Sequence, residues 1–260
     1  MQNQYIGDVV DFGKYGLLRH LAGLFDDGPR LRLGVLWYLV PDGGRQNGAR
    51  GVGYLKDSVA LPYRRCDAAL YDRLRAIVRA GRRSVDAIRT SGLLPPDTVF
   101  VDDMLRFGTL GDSKRAERRS QWMVANVQRT ASCDLVFVDP DNGLECGKTA
   151  PTSRNGPRYA FLNELQAIVF RRQTLVLYQD TSRKRVPGRE IQHGLEMIDE
   201  LGRGVPPMAL RFRGRSCAFF VYPAAEHHPL VTKRIASLLA TPWSRYFELI
   251  VLRQQMRARA

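Results

Sequence analysis

Asp134-Leu135-Val136-Phe137-Val138-Asp139-Pro140-Asp141-Asn142-Gly143-Leu144-Glu145 reads as a short buried strand that runs straight into three carboxylates. The apolar part is continuous, which marks a strand covered on both faces, and it is too short for a buried helix. Pro140 cannot donate to a ladder, so the strand stops there. Two runs of the same kind flank it, Leu31 to Val40 (LRLGVLWYLV) and Thr174 to Tyr178, and Thr98 to Val101 is a shorter one that delivers Asp102 and Asp103.

Helical periodicity fills the gaps. Val9, Phe12, Tyr15, Leu18, Leu21 and Leu24 repeat at helical spacing over 8–25, and Asp26-Asp27-Gly28-Pro29 ends that stretch. Further helices are expected over 67–92 (in two pieces around Gly81), 112–130, 159–170, 188–202 and near 229–240. Strands alternating with helices imply a mostly parallel sheet. Met208–Phe212 and Ala218–Tyr222, joined around Arg213-Gly214-Arg215, read as a β-hairpin that adds an antiparallel edge. The expectation is a single α/β domain over 1–260 with a helical insertion at roughly 56–95.

Composition narrows the class. Of 260 residues, 44% are hydrophobic, enough for a sizeable core, so general disorder is not expected. No run of roughly 18 apolar residues exists, so no membrane span is expected, and the first residues show no signal-peptide pattern. Cys66, Cys133, Cys146 and Cys217 form no C-x-x-C pair, which argues against zinc and suits a reducing cytoplasm. Net charge is +14, from 40 Lys and Arg against 26 Asp and Glu. Such a balance favours polyanionic partners, nucleic acid first, although an Arg-rich composition decorating every surface gives the same number.

In open sheets of this kind ligands bind beyond the carboxyl ends of the strands. Three such ends are polar: Pro41-Asp42-Gly43-Gly44, Asp139-Pro140-Asp141-Asn142, and Gln179-Asp180-Thr181-Ser182-Arg183. Clustered carboxylates repel unless a cation, a proton or donors intervene. Asp139 is therefore a candidate to accept from a substrate amine; alternatively Asp139, Asp141 and Glu145 are candidate oxygen ligands for Mg²⁺ in a nuclease or phosphoesterase. A strand-ending Asx turn is the plainer reading. Asp42, Gly43 and Gly44 could approach a cofactor, but no G-x-G-x-x-G is present. Asp8, Asp11 and Lys14 lie near one face of the first helix, where a surface ion-pair row is the default. Gly13 and Gly16 weaken that helix and point to close approach by a neighbour or ligand. Arg115, Arg118 and Arg119 beside Trp122, and Arg183 with Lys184, are candidates for phosphate contacts. The loop at 150–158 is a candidate flap.

Gly7-Asp8-Val9-Val10-Asp11-Phe12-Gly13-Lys14, followed by a strand, a Gly-rich loop and later strand–Asp139-Pro140, resembles the bacterial large-subunit ribosomal RNA adenine-N6 methyltransferase family. That family opens with G-N-x-x-D-x-x-K-H and carries D-P-P-Y. The chain also looks like a group of bacterial proteins sharing F-G-K-Y-G-L-L, W-Y-L and D-P-D-N-G-L-E, a likeness that brings no activity with it. The methyltransferase resemblance implies a Rossmann-like, methyltransferase-type fold, a seven-stranded sheet ending in an antiparallel hairpin, with S-adenosylmethionine as cofactor. It places Asp8, Asp11 and Lys14 by cofactor or substrate, and Asp139 on the target amine. Asp141 and Asn142 stand where the family has Pro and Tyr, so the aromatic that would stack on a flipped base is missing from that place.

Overall fold

The computed structural model describes residues 1–42, 51–145, 147, 149–181, 187–202 and 205–253. In chain order the elements are α1 (Val9–Leu21), β1 (Leu33–Trp37), α2 (Ala60–Arg64), α3 (Ala68–Arg79), α4 (Val85–Thr90), β2 (Val99–Val101), α5 (Asp112–Arg129) and β3 (Leu135–Asp139). They continue with β4 (Gly143–Leu144), β5 (Tyr159–Ala160), α6 (Leu162–Val169), β6 (Thr174–Asp180), α7 (Pro187–Asp199), β7 (Met208–Phe212), β8 (Cys217–Tyr222), α8 (His228–Leu239) and β9 (Phe247–Val251). Expected helix and strand positions are met within a few residues. The exception is 159–170, whose first two residues form β5 beside β4.

A seven-stranded sheet has the order β2-β1-β3-β6-β8-β7-β9. The first four strands pair in parallel, with Trp37 of β1 opposite Asp139 of β3 at the last rung, so both chains leave the sheet at one rim. β8 runs antiparallel between β6 and β7, and β9 closes the far edge antiparallel to β7.

β1 and β3 are buried along their whole length, and alternate side chains point to opposite faces of the sheet and build two cores. Leu33, Val35 and Trp37 of β1 join Phe12, Tyr15 and Leu18 of α1 on one face. Leu36 with Val136 and Val138 of β3 joins Trp122 and Met123 of α5 on the other. The helical insertion between β1 and β2 belongs to the first core through Leu70, Leu74, Val85 and Ile88, so it is part of the domain's own packing. No helix among the described residues is long and apolar enough to cross a membrane.

α1 starts where Asp8 turns the chain. Its carboxylate accepts from the backbone N–H groups of Val10 (2.8 Å) and Asp11 (3.0 Å), satisfying donors that the first turn leaves free. The two mid-helix glycines are explained by neighbours. A Cβ on Gly13 would sit 2.6 Å from the Phe212 ring, and one on Gly16 would sit 2.3 Å from Trp243. The helix thus lies directly on aromatic side chains, and Lys14, between the glycines, is drawn into the interior.

Candidate functional site

The rim where β1, β3 and β6 end carries a cavity of about 480 Å³. Its floor is an ion cluster. The Lys14 ammonium donates to Asp11 Oδ1 and to Asp139 Oδ2, each at 2.8 Å, and all three side chains are 2–3% exposed. Asp11 Oδ2 also accepts from the Gly7 N–H at 2.8 Å. The three residues expected as a surface stripe and a strand-end acid are therefore one buried unit, with the N-terminal motif and the strand-end motif 125 residues apart in sequence.

Two carboxylates and one lysine cannot all be neutralised by charge pairing alone. Burial opposes the charge on Lys14, but Asp11 and Asp139 outweigh it and hold its pKa well above the ordinary lysine value. Burial raises Asp139 above the ordinary aspartate range, with Lys14 pulling the other way. The cluster thus keeps its cation at neutral pH, and the pKa of its Asp139 carboxyl lies above the range of a surface aspartate.

Asp8 stands at the wall of the same cavity. Burial, and next the charge of Asp11, push its carboxyl up to about 7, against the two backbone N–H bonds that favour the anion. One of its oxygens takes those bonds, and the other has no hydrogen-bond partner among the described residues. A group whose folded pKa lies above its unfolded value binds the proton more tightly when folded. Its contribution to stability is therefore full below about pH 4 and falls as the pH rises towards 7. Asp8→Asn keeps a good cap and removes that decline. The melting temperature of the variant should exceed that of the parent above pH 7 and converge with it as the pH falls, read from melts at a series of pH values. Parallel curves would show that Asp8 is solvated.

The remaining expected residues divide. Asp141 lines the cavity and is held by Gln2 Nε2 at 2.8 Å and by the Arg158 guanidinium. Asn142 lines it too, fixed through its backbone to Arg158 O (2.9 Å). Glu145 does not reach the cavity, because its carboxylate accepts from the Leu162 N–H at 2.8 Å and caps α6. The proposed magnesium set of Asp139, Asp141 and Glu145 is thereby split among a lysine, an arginine and a helix end. No group of three or more His, Cys, Asp or Glu side chains placed to hold a metal occurs among the described residues.

Asp42 lies at the same rim but is exposed and outside the cavity lining, taking the Gln4 N–H at 3.4 Å. The first residues of the chain stand between it and the cluster: Val40 N donates to Met1 O at 3.0 Å, and the Met1 amino group donates to Tyr38 O at 2.8 Å. Gly43 and Gly44 lie outside the described residues, as do Arg183 and Lys184.

Of the three α5 arginines expected to face phosphate, Arg118 alone is exposed. Arg119 is 3% exposed and bonds Glu164, Gly156 O (2.8 Å) and Tyr159 O (2.7 Å), so it is an internal strut, not a phosphate contact. Arg115 is half-buried on Thr152 O at 3.2 Å. These two arginines tie down the loop at 150–158, in which Gly156 and Pro157 are buried; the expected flap is anchored.

The cavity also holds residues that the sequence did not single out for it: Tyr5, Arg158, Tyr178, Arg215, Ser216 and Cys217. They come from four separate stretches, and only Tyr178, next to the polar strand end at Gln179-Asp180, carried a local signal. No protein-family model matches the chain, and no curated protein matches it.

Proposed function

We propose that this chain is an S-adenosylmethionine-binding protein of methyltransferase type that acts on an amino nitrogen of nucleic acid. One observation carries the reading: the two segments that resemble the ribosomal RNA methyltransferases meet through Lys14 and Asp139, 2.8 Å apart, at the strand-end rim where such sheets bind ligands. The antiparallel β8 between β6 and β7 in a seven-stranded sheet supports it. The three described cysteines are free thiols, which suits the cytoplasm.

The side chains around the cavity fit the cofactor's groups. Tyr178 offers an aromatic face for a purine, and Asp180 offers a carboxylate for hydroxyls or an ammonium. Arg215, which makes no salt bridge among the described residues, is the cation for a carboxylate. A cavity of about 480 Å³ is of the size that encloses a small molecule. When bound, the cofactor supplies an electrophilic methyl group on a sulfonium, which becomes a neutral thioether on transfer.

The chain's own residues then position the amine and receive its proton. Asp139 already holds Lys14 and is 1% exposed, so it acts as a positioning residue that fixes the floor, in place of the amine-holding role expected for it. Asp8, with one oxygen unengaged among the described residues and a pKa of about 7, takes the proton that the nitrogen loses as the N–C bond forms. The aromatic face missing at Asn142 is supplied from elsewhere by Tyr5.

Thermal melts with S-adenosylmethionine, and separately with Mg²⁺, test the reading. At a hundredfold excess over Kd a native-state ligand stabilises by about 2.7 kcal/mol, raising Tm by roughly 5–10 °C. A shift with S-adenosylmethionine, together with transfer of its labelled methyl group to RNA or DNA, is the expected result. A shift with metal alone would move the reading to phosphoester chemistry. Oligonucleotide binding with neither shift would leave a non-catalytic nucleic-acid-binding module.

A further inference from the structure

A second depression of about 500 Å³ lies one turn away from the cavity. The link is the β7–β8 turn. Arg213 and Gly214 line the second depression, and the next two residues, Arg215 and Ser216, line the first. β7 runs in the same direction as β6, since both are antiparallel to β8, so this turn sits at the rim that carries the ion cluster.

Its wall is aromatic and its edge is cationic. Tyr63 and Tyr246 stack at 4.9 Å between centroids, and Tyr63 is held edge-on by Phe12 at 5.7 Å and Tyr54 at 5.2 Å. Val59, 44% exposed, and Pro62 extend the apolar surface. Arg213 and Arg245 stand at the margin. Arg213 shares Glu248 with Arg211 at 3.6 and 3.4 Å, both exposed pairs that water screens. Arg245 makes no salt bridge among the described residues.

We infer that this groove is a binding site for single-stranded nucleic acid, holding a nucleotide next to the one whose base enters the cavity. The inference rests on the nucleic-acid part of the function proposed above. The half-buried Tyr63 ring, backed by the buried Tyr246, takes the π-face of any base, and flanking guanidiniums take the phosphates on either side. A depression of this size admits one base at a time, and a stacked duplex offers none to it. The chain's +14 charge supplies the long-range attraction. The phosphate contacts of this groove thus fall on Arg213 and Arg245; on α5, Arg119 is internal and Arg115 braces a loop, which leaves Arg118 exposed.

The test is fluorescence anisotropy of a labelled single-stranded oligonucleotide of about 12 nucleotides, against its duplex, over a range of salt. The parent should prefer the single strand. Arg213→Glu/Arg245→Glu should weaken it at least tenfold. The corresponding neutral variant, Arg213→Ala/Arg245→Ala, should lower the log–log salt slope by roughly 1.4, for two lost contacts. Arg32→Glu/Arg172→Glu makes the same charge change at the opposite rim, before β1 and β6, and should have far less effect. Equal weakening by the two reversed variants, a preference for duplex, or no binding by the parent would overturn the groove. Groove-dependent binding without methyl transfer would sink only the enzymatic reading. Melting curves of each variant guard against unfolding, and both substituted arginine pairs are exposed.

Discussion

Lys14→Met is expected to cost about 3–5 kcal/mol, lowering Tm by roughly 6–20 °C. The lysine is the only cation bonded to Asp11 Oδ1 and Asp139 Oδ2 among the described residues, and its removal leaves two buried carboxylates facing each other. Breaking a buried pair from one side is far more costly than replacing the whole of it, because the penalty falls on the charge left behind. Two further measurements separate this cause from lost packing. The deficit should be smaller at pH 5 than at pH 8, since the stranded acids bind protons more tightly in the folded state and lose stability as the pH rises. The combined Asp11→Asn/Lys14→Met/Asp139→Asn variant should recover most of the loss. A deficit that ignores pH and is unchanged in the triple variant would mean that Lys14 stabilises through its hydrocarbon chain against Tyr15, Phe137 and Tyr178, whose rings lie within 6 Å of the ammonium.

The same cluster shows where reading the sequence succeeds. β1, β3 and β6 were legible because a strand covered on both faces needs an uninterrupted apolar run, and few other structures tolerate one of that length. The rim was legible because parallel strands share a carboxyl end, which puts Asp139 and Asp42 on one side. What periodicity could not supply was depth. Asp8, Asp11 and Lys14 recur at the spacing of a solvated ion-pair row, and the same spacing describes a buried one. The glycines at 13 and 16 were the available hint, and they mark where Phe212 and Trp243 press on the helix. Asp42 fails as a site residue for a related reason: Met1 to Tyr5 lie over the end of β1, and nothing local to Asp42 reveals what covers its neighbours. Arg158 and Arg215 reach the cavity through a parallel two-stranded ribbon and a hairpin turn, so their place depends on tertiary pairing alone.

α5 supplies the clearest misreading and the second large effect. Its run of arginines looks uniformly solvated, yet Arg119 is in step with the buried stripe of Trp122, Met123 and Asn126 at three, four and seven residues, which is the signal that separates it from Arg118. Arg119→Met is expected to cost about 3 kcal/mol or more. It would strand Glu164, whose side chain is 10% exposed, and free the carbonyls of Gly156 and Tyr159. Because those carbonyls flank Arg158, the loss should extend to the cavity wall through the Arg158–Asp141 contact. Limited proteolysis should cut the 149–158 stretch faster in the variant, while sites in α3 and α8 stay protected. Adding Glu164→Gln should restore part of the stability, since the amide keeps an acceptor for Phe161 N, now at 3.3 Å from the carboxylate, without a buried charge. Faster cleavage with no change in Tm would confine Arg119 to bracing the loop. A lower Tm with unchanged cleavage would place its whole effect on the Glu164 pair. The expected result is both together, because one guanidinium joins the helix end to the loop that forms the wall.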